Sequence, residues 1–136
     1  MSFPGGKMEV TDEDLVATAL RETEEEIGVP QENVITLGEL TQMYIPVSNF
    51  VVQPVVGYTE SEPSFILEEN EVTELVSESV TRLCSDELKF VKDIAISKQL
   101  TLKRVPYFDV QGKVVWGATA MMLNEFVTLL KQNSSV

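Results

Sequence analysis

The chain has 136 residues, 43% of them hydrophobic, and a formal net charge of −12. This size and composition predict a single domain over residues 1–136, and the negative charge argues against nucleic acid as a partner. No apolar run reaches the ~20 residues of a membrane span, and no export leader is seen, so we expect a cytoplasmic protein without a membrane partner. A single cysteine excludes an internal disulfide, and the lack of histidine leaves acid–base chemistry to carboxylates, Lys or Tyr.

The first feature along the chain is the glycine pair Gly5-Gly6, which precedes a predicted helix. A glycine pair lets backbone approach a ligand closely, although most such pairs are simple loops. Thr11 is expected to cap the helix, with Asp14 completing a capping box. Gly28 is expected to end the helix in a left-handed conformation, and Pro30 prevents its continuation.

The end of this helix is crowded with carboxylates. Glu22, Glu25 and Glu26 share one flank, because residues three and four apart are neighbours on a helix. Each like-charge pair at this spacing costs about 0.2–0.5 kcal/mol, and the negative end of the helix dipole disfavours the charges further. A divalent cation would compensate them, since Mg²⁺ and Mn²⁺ prefer oxygen ligands. A solvated acidic face is the alternative that these residues leave open.

The residues around the cluster resemble the Nudix box, G-x5-E-x7-R-E-U-x-E-E-x-G-U, in which U is aliphatic. The match covers about residues 6–29. It departs from the pattern at two points. Thr23 replaces an aliphatic residue, and six residues separate Gly6 from Glu13, so that either Asp12 or Glu13 could be the upstream acid. With FPGGK and ALRETEEE, these departures resemble the Nudix branch that cleaves coenzyme A.

The resemblance implies a role for each polar residue of the box. Glu22 and Glu26 would be the principal ligands of Mg²⁺ or Mn²⁺, and the carbonyl of Gly6 would be a further ligand. Glu25 would act in catalysis as the ligand of an additional ion or as a bridge to Arg21. Arg21 would hold the box together and orient a glutamate. A plain surface ion pair between Arg21 and Glu25, four residues apart, is the alternative.

The chain after the box is predicted to form mostly strands: 34–40, then 43–45, which either continues the first strand or begins another, and finally 49–58. The last of these is rich in β-branched residues and is the strongest prediction. Pro54 lies inside it and implies an edge, a bulge or a missing ladder bond.

A second group of acidic residues follows at 68–71 and precedes 72–76, whose alternation predicts a strand. Sequences of the coenzyme A branch often have Glu-Val at this point. The resemblance therefore implies that Glu71, with Glu69 as second choice, supplies the general base or a supporting metal ligand. Ordinary loop acids are the alternative.

The rest of the chain is predicted to contain a turn or short helix at 77–83 and mixed helix and loop at 85–98. Strands at 100–108 and 113–116 should form a hairpin around Gln111-Gly112, and a last helix should begin at Gly117. Five of its side chains are expected to face the core: Met121, Met122, Phe126, Leu129 and Leu130.

The resemblance implies an α+β fold, the Nudix α/β/α sandwich with a mixed curved sheet. The sequence begins at a point inside such a domain, so we expect the fold to be N-terminally incomplete and to lack the leading strands and upstream arginines. Sheet edges left unpaired in this way would allow a homodimer.

These features predict a metal-dependent Nudix pyrophosphohydrolase acting on a small-molecule nucleoside diphosphate substrate. On the resemblance, the favoured substrate is coenzyme A or an acyl-CoA, split to 3′,5′-ADP and 4′-phosphopantetheine. One alternative is another Nudix substrate, such as ADP-ribose, NADH or a nucleoside triphosphate. The other is a truncated non-catalytic domain that binds nucleotides or oligomerises.

Overall fold

The computed structural model describes residues 1–133, which divide into two compact units. The N-terminal unit is Phe3–Leu75, and the C-terminal unit consists of Met1–Ser2 and the chain from Val76 onward. Each unit has its own helices and strands. The single domain that the sequence predicts stays a prediction.

Helix α1, Leu15–Ile27, is the longest element of the N-terminal unit. The prediction that Thr11 caps it is wrong. Asp14 is the N-cap, because its carboxylate accepts the N–H of Ala17 at 2.8 Å. The predicted left-handed cap at Gly28 is confirmed, with φ of 75° and an N–H bond to the Glu24 carbonyl.

Four short strands follow α1 and pair in two antiparallel ladders. They are β1 (Ile35–Glu39), β2 (Met43–Ile45), β3 (Phe50–Val52) and β4 (Val55–Tyr58). β1 pairs with β4. β2 pairs with β3, and both lie in the chain between β1 and β4. The one strand predicted at 49–58 is therefore divided at Pro54, whose missing N–H cannot extend a ladder.

The strand predicted at 72–76 is wrong. The N–H of Val72 turns back to the carbonyl of Glu68 at 2.8 Å, and the residues that follow are irregular. Because of this turn, residues 72–76 do not pair with another strand, although their apolar residues alternate.

Five elements form the C-terminal unit. They are α2 (Val80–Cys84), β5 (Lys89–Ala95), β6 (Thr101–Val110), β7 (Lys113–Val115) and α3 (Gly117–Gln132). The predicted hairpin is confirmed as β6 and β7, joined at Gln111-Gly112 with φ of 53° and 83°. The mixed helix and loop predicted at 85–98 is wrong for residues 89–95, because β5 forms a third antiparallel strand against β6.

The largest hydrophobic core lies in the C-terminal unit. Its buried members are Leu83, Leu88, Phe108, Val110, Val115, Ala120, Leu123 and Val127. Ala120, Leu123 and Val127 lie three and four residues apart, so they share the inner face of α3. Met121 and Leu129 lie beside this stripe and are exposed. The prediction that they face the core is therefore wrong.

Helices together with antiparallel sheets confirm the α+β class. Instead of one mixed sheet, the strands of residues 1–133 form three small sheets, each of them antiparallel. Most paired strands here are neighbours in sequence, and short connections join strands only in the antiparallel sense. The sandwich stays a prediction. Among the described residues, no helix combines the length and apolar character that crossing a membrane requires.

Candidate metal centre

Three glutamates of α1 occupy the flank that the sequence predicts. Glu22 and Glu26 are half-buried, while Glu25 is exposed. Their spacing of four places Glu22 and Glu26 one turn apart on the same face. α1 therefore presents two partly desolvated carboxylates side by side near its C-terminal end.

The glycine pair lies against these two carboxylates. An added Cβ at Gly6 would come within 2.9 Å of both carboxylate oxygens and the carboxyl carbon of Glu22. The N–H of Gly5 acts on the carboxylate of Glu26 and lowers its pKa. Residue 6 consequently has to be glycine for Glu22 to keep its position. A metal-ligand role for the Gly6 carbonyl stays a prediction.

Arg21 connects α1 to the segment before it. Its Nε and Nη2 donate to the two carboxylate oxygens of Asp12, both at 3.0 Å. Its Nη1 donates to Glu22 and Glu25, each at 3.1 Å, and Nη2 also donates to the Lys7 carbonyl at 3.0 Å. The guanidinium thus fixes one principal carboxylate and the segment that carries the glycine pair.

Asp12, and not Glu13, is the upstream acid that pairs with Arg21. Its side chain is only 5% exposed, and it also accepts the Thr18 hydroxyl at 3.0 Å and the Glu9 N–H at 2.8 Å. Glu13 is exposed. Hydrogen bonds from Arg21 and Glu9 hold the pKa of Asp12 well below its usual range. The same contact with Asp12 raises the pKa of Arg21, so this pair is charged at neutral pH.

Glu26 has the opposite electrostatic environment. Burial raises its pKa, and the negative charges of Glu22, Glu71 and Glu25 raise it further, while the N–H of Gly5 lowers it. The carboxylate of Glu26 therefore lacks compensating positive charge. A cation placed beside it would relieve that cost.

The loop that carries the second acidic group runs along the end of α1. The N–H groups of Ile66 and Glu68 donate to the carbonyls of Ile27 and Glu26, at 3.0 and 2.9 Å. An added Cβ at Gly28 would lie 2.9 Å from the backbone nitrogen of Ile66, so the loop also passes close to the helix cap.

Glu71 is exposed in the turn that follows this loop, and its charge acts on Glu26. Its N–H bonds to the Glu68 carbonyl at 3.1 Å, which connects the turn to the residue fixed on α1. Glu69 is exposed in the same turn. The structure therefore brings Glu71 toward the α1 carboxylates, whereas Glu69 is placed only in the same turn.

The donor set suits a hard divalent cation. Glu22 and Glu26 offer carboxylate oxygens, which Mg²⁺ and Mn²⁺ prefer. Burial and the charge of Glu22 raise the pKa of Glu26, and a nearby cation would lower it. Within residues 1–133, no group of three or more Asp, Glu or Cys side chains is arranged closely enough to hold a metal ion. The candidate ligands are thus neighbours on one face and do not form a closed cage.

Sequence reasoning missed several contributors to this centre. Thr18 was not considered, although it lies three residues before Arg21 and so on the same helix face. The Lys7 carbonyl and the backbone of residues 66–68 act through main-chain groups, which any residue type can supply. Spacing could have suggested Thr18, but no side-chain pattern encodes the other two.

The centre thus combines a helix that gathers carboxylates, an arginine that fixes one of them and a glycine pair beside them. The family model described as NUDIX domain matches residues 1–100. This chain therefore belongs to the Nudix family, and the resemblance of its box is confirmed. Members of this family generally use divalent ions such as Mg²⁺ or Mn²⁺ and act on small nucleoside diphosphate substrates.

Several curated relatives share the name uncharacterized Nudix hydrolase NudL. The chain is 34% identical to the one from Pectobacterium atrosepticum over 125 residues, which cover 92% of this chain and 64% of the relative. It is 29% identical to the one from Photorhabdus laumondii, covering 92% and 65%, and 31% identical to the one from Yersinia pestis, covering 90% and 60%. The chain thus spans less than two thirds of the length of these relatives.

Proposed function

We propose that this chain hydrolyses the diphosphate bond of a small nucleoside diphosphate derivative, with the carboxylate face of α1 as its active centre. One observation carries the proposal: Glu22 and Glu26 lie one turn apart, half-buried, with Gly5-Gly6 in contact with both. Buried charges of one sign are costly unless an ion or partner compensates them. The use of divalent ions by the Nudix family supports an ion in that role.

Glu22 and Glu26 would hold Mg²⁺ or Mn²⁺, with the Gly6 carbonyl as the proposed further ligand. A bound divalent ion neutralises the charge of a diphosphate and so favours attack on phosphorus by water. Glu25 would either hold an additional ion or link to Arg21. Its contact with Arg21 at 3.1 Å supports the link.

Arg21 would be a positioning residue. It bonds to Glu22, Glu25 and the buried Asp12 at once, and only 14% of its side chain is exposed. The planar guanidinium can satisfy several carboxylates in fixed directions, which a lysine cannot do. Arg21 would therefore keep Glu22 oriented and would not itself contact the substrate.

Glu71 is the proposed general base, with Glu69 as the second choice. A general base has to lie near the attacking water and accept its proton. Hydrogen bonds fix the Glu71 turn to the end of α1, and its charge acts on Glu26, which supports Glu71 over Glu69.

The favoured substrate is coenzyme A or an acyl-CoA, cleaved to 3′,5′-ADP and 4′-phosphopantetheine. FPGGK at residues 3–7 and ALRETEEE at residues 19–26 support this choice. The test also distinguishes the alternatives, which are hydrolysis of ADP-ribose, NADH or a nucleoside triphosphate, and nucleotide binding without catalysis. The predicted homodimer and cytoplasmic location stay predictions.

The test is release of 4′-phosphopantetheine from coenzyme A with Mg²⁺ or Mn²⁺, for the unmodified chain, Glu26→Gln and the control Glu24→Gln. Glu24 lies on the same helix but is exposed. We expect metal-dependent turnover that falls more than about 100-fold in Glu26→Gln, because even residues behind a metal ligand contribute ~10–100-fold. Glu24→Gln should keep its activity.

Turnover of ADP-ribose, NADH or a nucleotide, but not of coenzyme A, would change the substrate and keep the reaction class. A folded protein that hydrolyses none of these would contradict the hydrolase and favour the nucleotide-binding alternative.

A further inference from the structure

The N-terminal unit has very little positive charge. It contains sixteen of the 22 carboxylates of the chain but only two of the ten Lys and Arg residues, Lys7 and Arg21. Arg21 is occupied by Asp12, Glu22 and Glu25. A diphosphate approaching this unit therefore meets Lys7 as the one protein cation outside the Arg21 cluster.

The position of Lys7 is fixed by its backbone. It directly follows Gly5-Gly6, which contacts Glu22 and Glu26, and its carbonyl accepts Nη2 of Arg21 at 3.0 Å. The base of the Lys7 side chain consequently lies beside the candidate metal ligands. No carboxylate pairs with its ammonium group among the described residues.

The Lys7 side chain extends over an exposed aromatic ring. Its Nζ lies 5.0 Å from the ring centroid of Phe50, the first residue of β3, and the Phe50 side chain is itself partly exposed. Such a cation–π contact is weak at exposed sites, so an anion can replace it. An aromatic ring carries no net charge, so the positive charge of the lysine stays available to an anion.

We propose that Lys7 is a substrate-binding residue whose ammonium group donates hydrogen bonds to the diphosphate of the substrate. Without substrate, the ammonium group lies over the Phe50 ring. The inference rests on the proposed function, and it identifies the diphosphate itself as a group that a protein side chain recognises. A lysine suits this task, because its ammonium is a compact donor that binds phosphate as a point charge.

The test measures two affinities separately. Mn²⁺ binding alone is followed by electron paramagnetic resonance, and ADP binding in the presence of Mn²⁺ is followed by titration calorimetry. The variants are Lys7→Gln, Lys7→Arg and Phe50→Leu. Lys98→Gln is the control, because it removes the same charge at an exposed position of the C-terminal unit.

We expect Lys7→Gln to weaken ADP binding by about tenfold or more, the usual effect of losing a hydrogen bond to a charged group, with unchanged Mn²⁺ affinity. Lys7→Arg should restore most of the affinity. Phe50→Leu keeps the lysine and should bind ADP within about threefold of the unmodified chain, since an exposed cation–π contact is weak. Lys98→Gln should not differ.

Other results separate the role of Lys7 from the proposed function. Unchanged ADP affinity in Lys7→Gln would overturn it, even if Glu26→Gln abolishes turnover and so supports the hydrolase. A parallel loss of Mn²⁺ affinity would show that Lys7 acts on the carboxylates and not on the diphosphate. If the chain binds ADP but hydrolyses neither coenzyme A nor the alternative substrates, only the proposed function is contradicted, and Lys7→Gln still decides the role of Lys7.

Discussion

A substitution at Gly6 should change the geometry of the centre without a comparable change in the stability of the fold. The atoms that an added Cβ would meet all belong to the Glu22 carboxyl group, the flexible end of a side chain. That carboxyl can move without moving the backbone. A larger residue at this position would therefore displace the proposed metal ligand, Glu22, more than it would destabilise the fold.

We expect Gly6→Ala to lower Mn²⁺ affinity by about tenfold or more, in the range found when a metal ligand loses its support. Its unfolding free energy should change by less than ~1 kcal/mol, because the clash is relieved by side-chain rotation. Gly5→Ala is the matched control, since an added Cβ at Gly5 meets nothing within 4 Å. Equal Mn²⁺ affinities of the two variants would contradict this account of Gly6.

Asp12 makes stability depend on pH in a defined direction. Its pKa is lowered in the folded chain by Arg21 and by the N–H of Glu9, so the unfolded chain binds its proton more tightly. The stabilisation is thus fully present above the unfolded pKa of about 3.9 and is lost as the pH falls below that value.

The unfolding free energy of the unmodified chain should therefore fall as the pH is lowered from about 5 toward 2. We expect a smaller fall in Asp12→Asn, which cannot release a proton on folding. Glu13→Gln, at the neighbouring exposed acid, should follow the unmodified chain. Urea unfolding at a series of pH values measures all three, and identical slopes for Asp12→Asn and Glu13→Gln would assign the effect to another acid.

At the scale of helices and strands, local periodicity predicted what lies on one element. The spacing of four between Arg21 and Glu25 predicted their ion pair, which is confirmed at 3.1 Å. The shared flank of the three glutamates follows from the same geometry. The choice of Asp12 over Glu13 did not follow, because it depends on a turn in which Asp12 folds back onto Glu9.

Pairing between elements was harder to predict. Residues 49–58 have strand propensity throughout, yet Pro54 divides them between two sheets. β5 was predicted as mixed helix and loop, because its strand conformation depends on the ladder with β6 rather than on its own residues. The contact between the 66–68 backbone and α1 likewise has no periodic pattern. Sequence thus predicts the carboxylate-bearing helix α1, but not the loop backbone that bonds to its C-terminal end.

At the scale of the whole molecule, burial and charge are divided unequally between the two units. The N-terminal unit has most of the carboxylates, and its buried hydrophobic residues are Ile27 and Val29. The C-terminal unit contains the eight-residue core. Because apolar burial and tight packing resist local opening, the N-terminal unit should open more readily without a bound ion.

Amide hydrogen exchange measured by mass spectrometry tests this division. Without added metal, we expect the slowest exchange in α3 around Leu123 and Val127, and faster exchange in β1 and β4, whose residues are exposed or half-buried. Saturating Mg²⁺ should slow exchange at the end of α1 and at residues 66–68, because a ligand that binds only the folded form raises the cost of opening. Peptides from α3 are an internal control and should not change.

Glu26→Gln separates ion binding from general salt effects in the same experiment. This variant should lose the Mg²⁺-dependent protection of α1 while keeping the slow exchange of α3. Equal protection of both units without metal would contradict the division of burial between them. A Mg²⁺ effect that survives in Glu26→Gln would contradict an ion held on the α1 carboxylates. Loss of the effect together with loss of turnover would connect the charge of the N-terminal unit to its chemistry, since one ion would then relieve the carboxylate repulsion and serve the reaction.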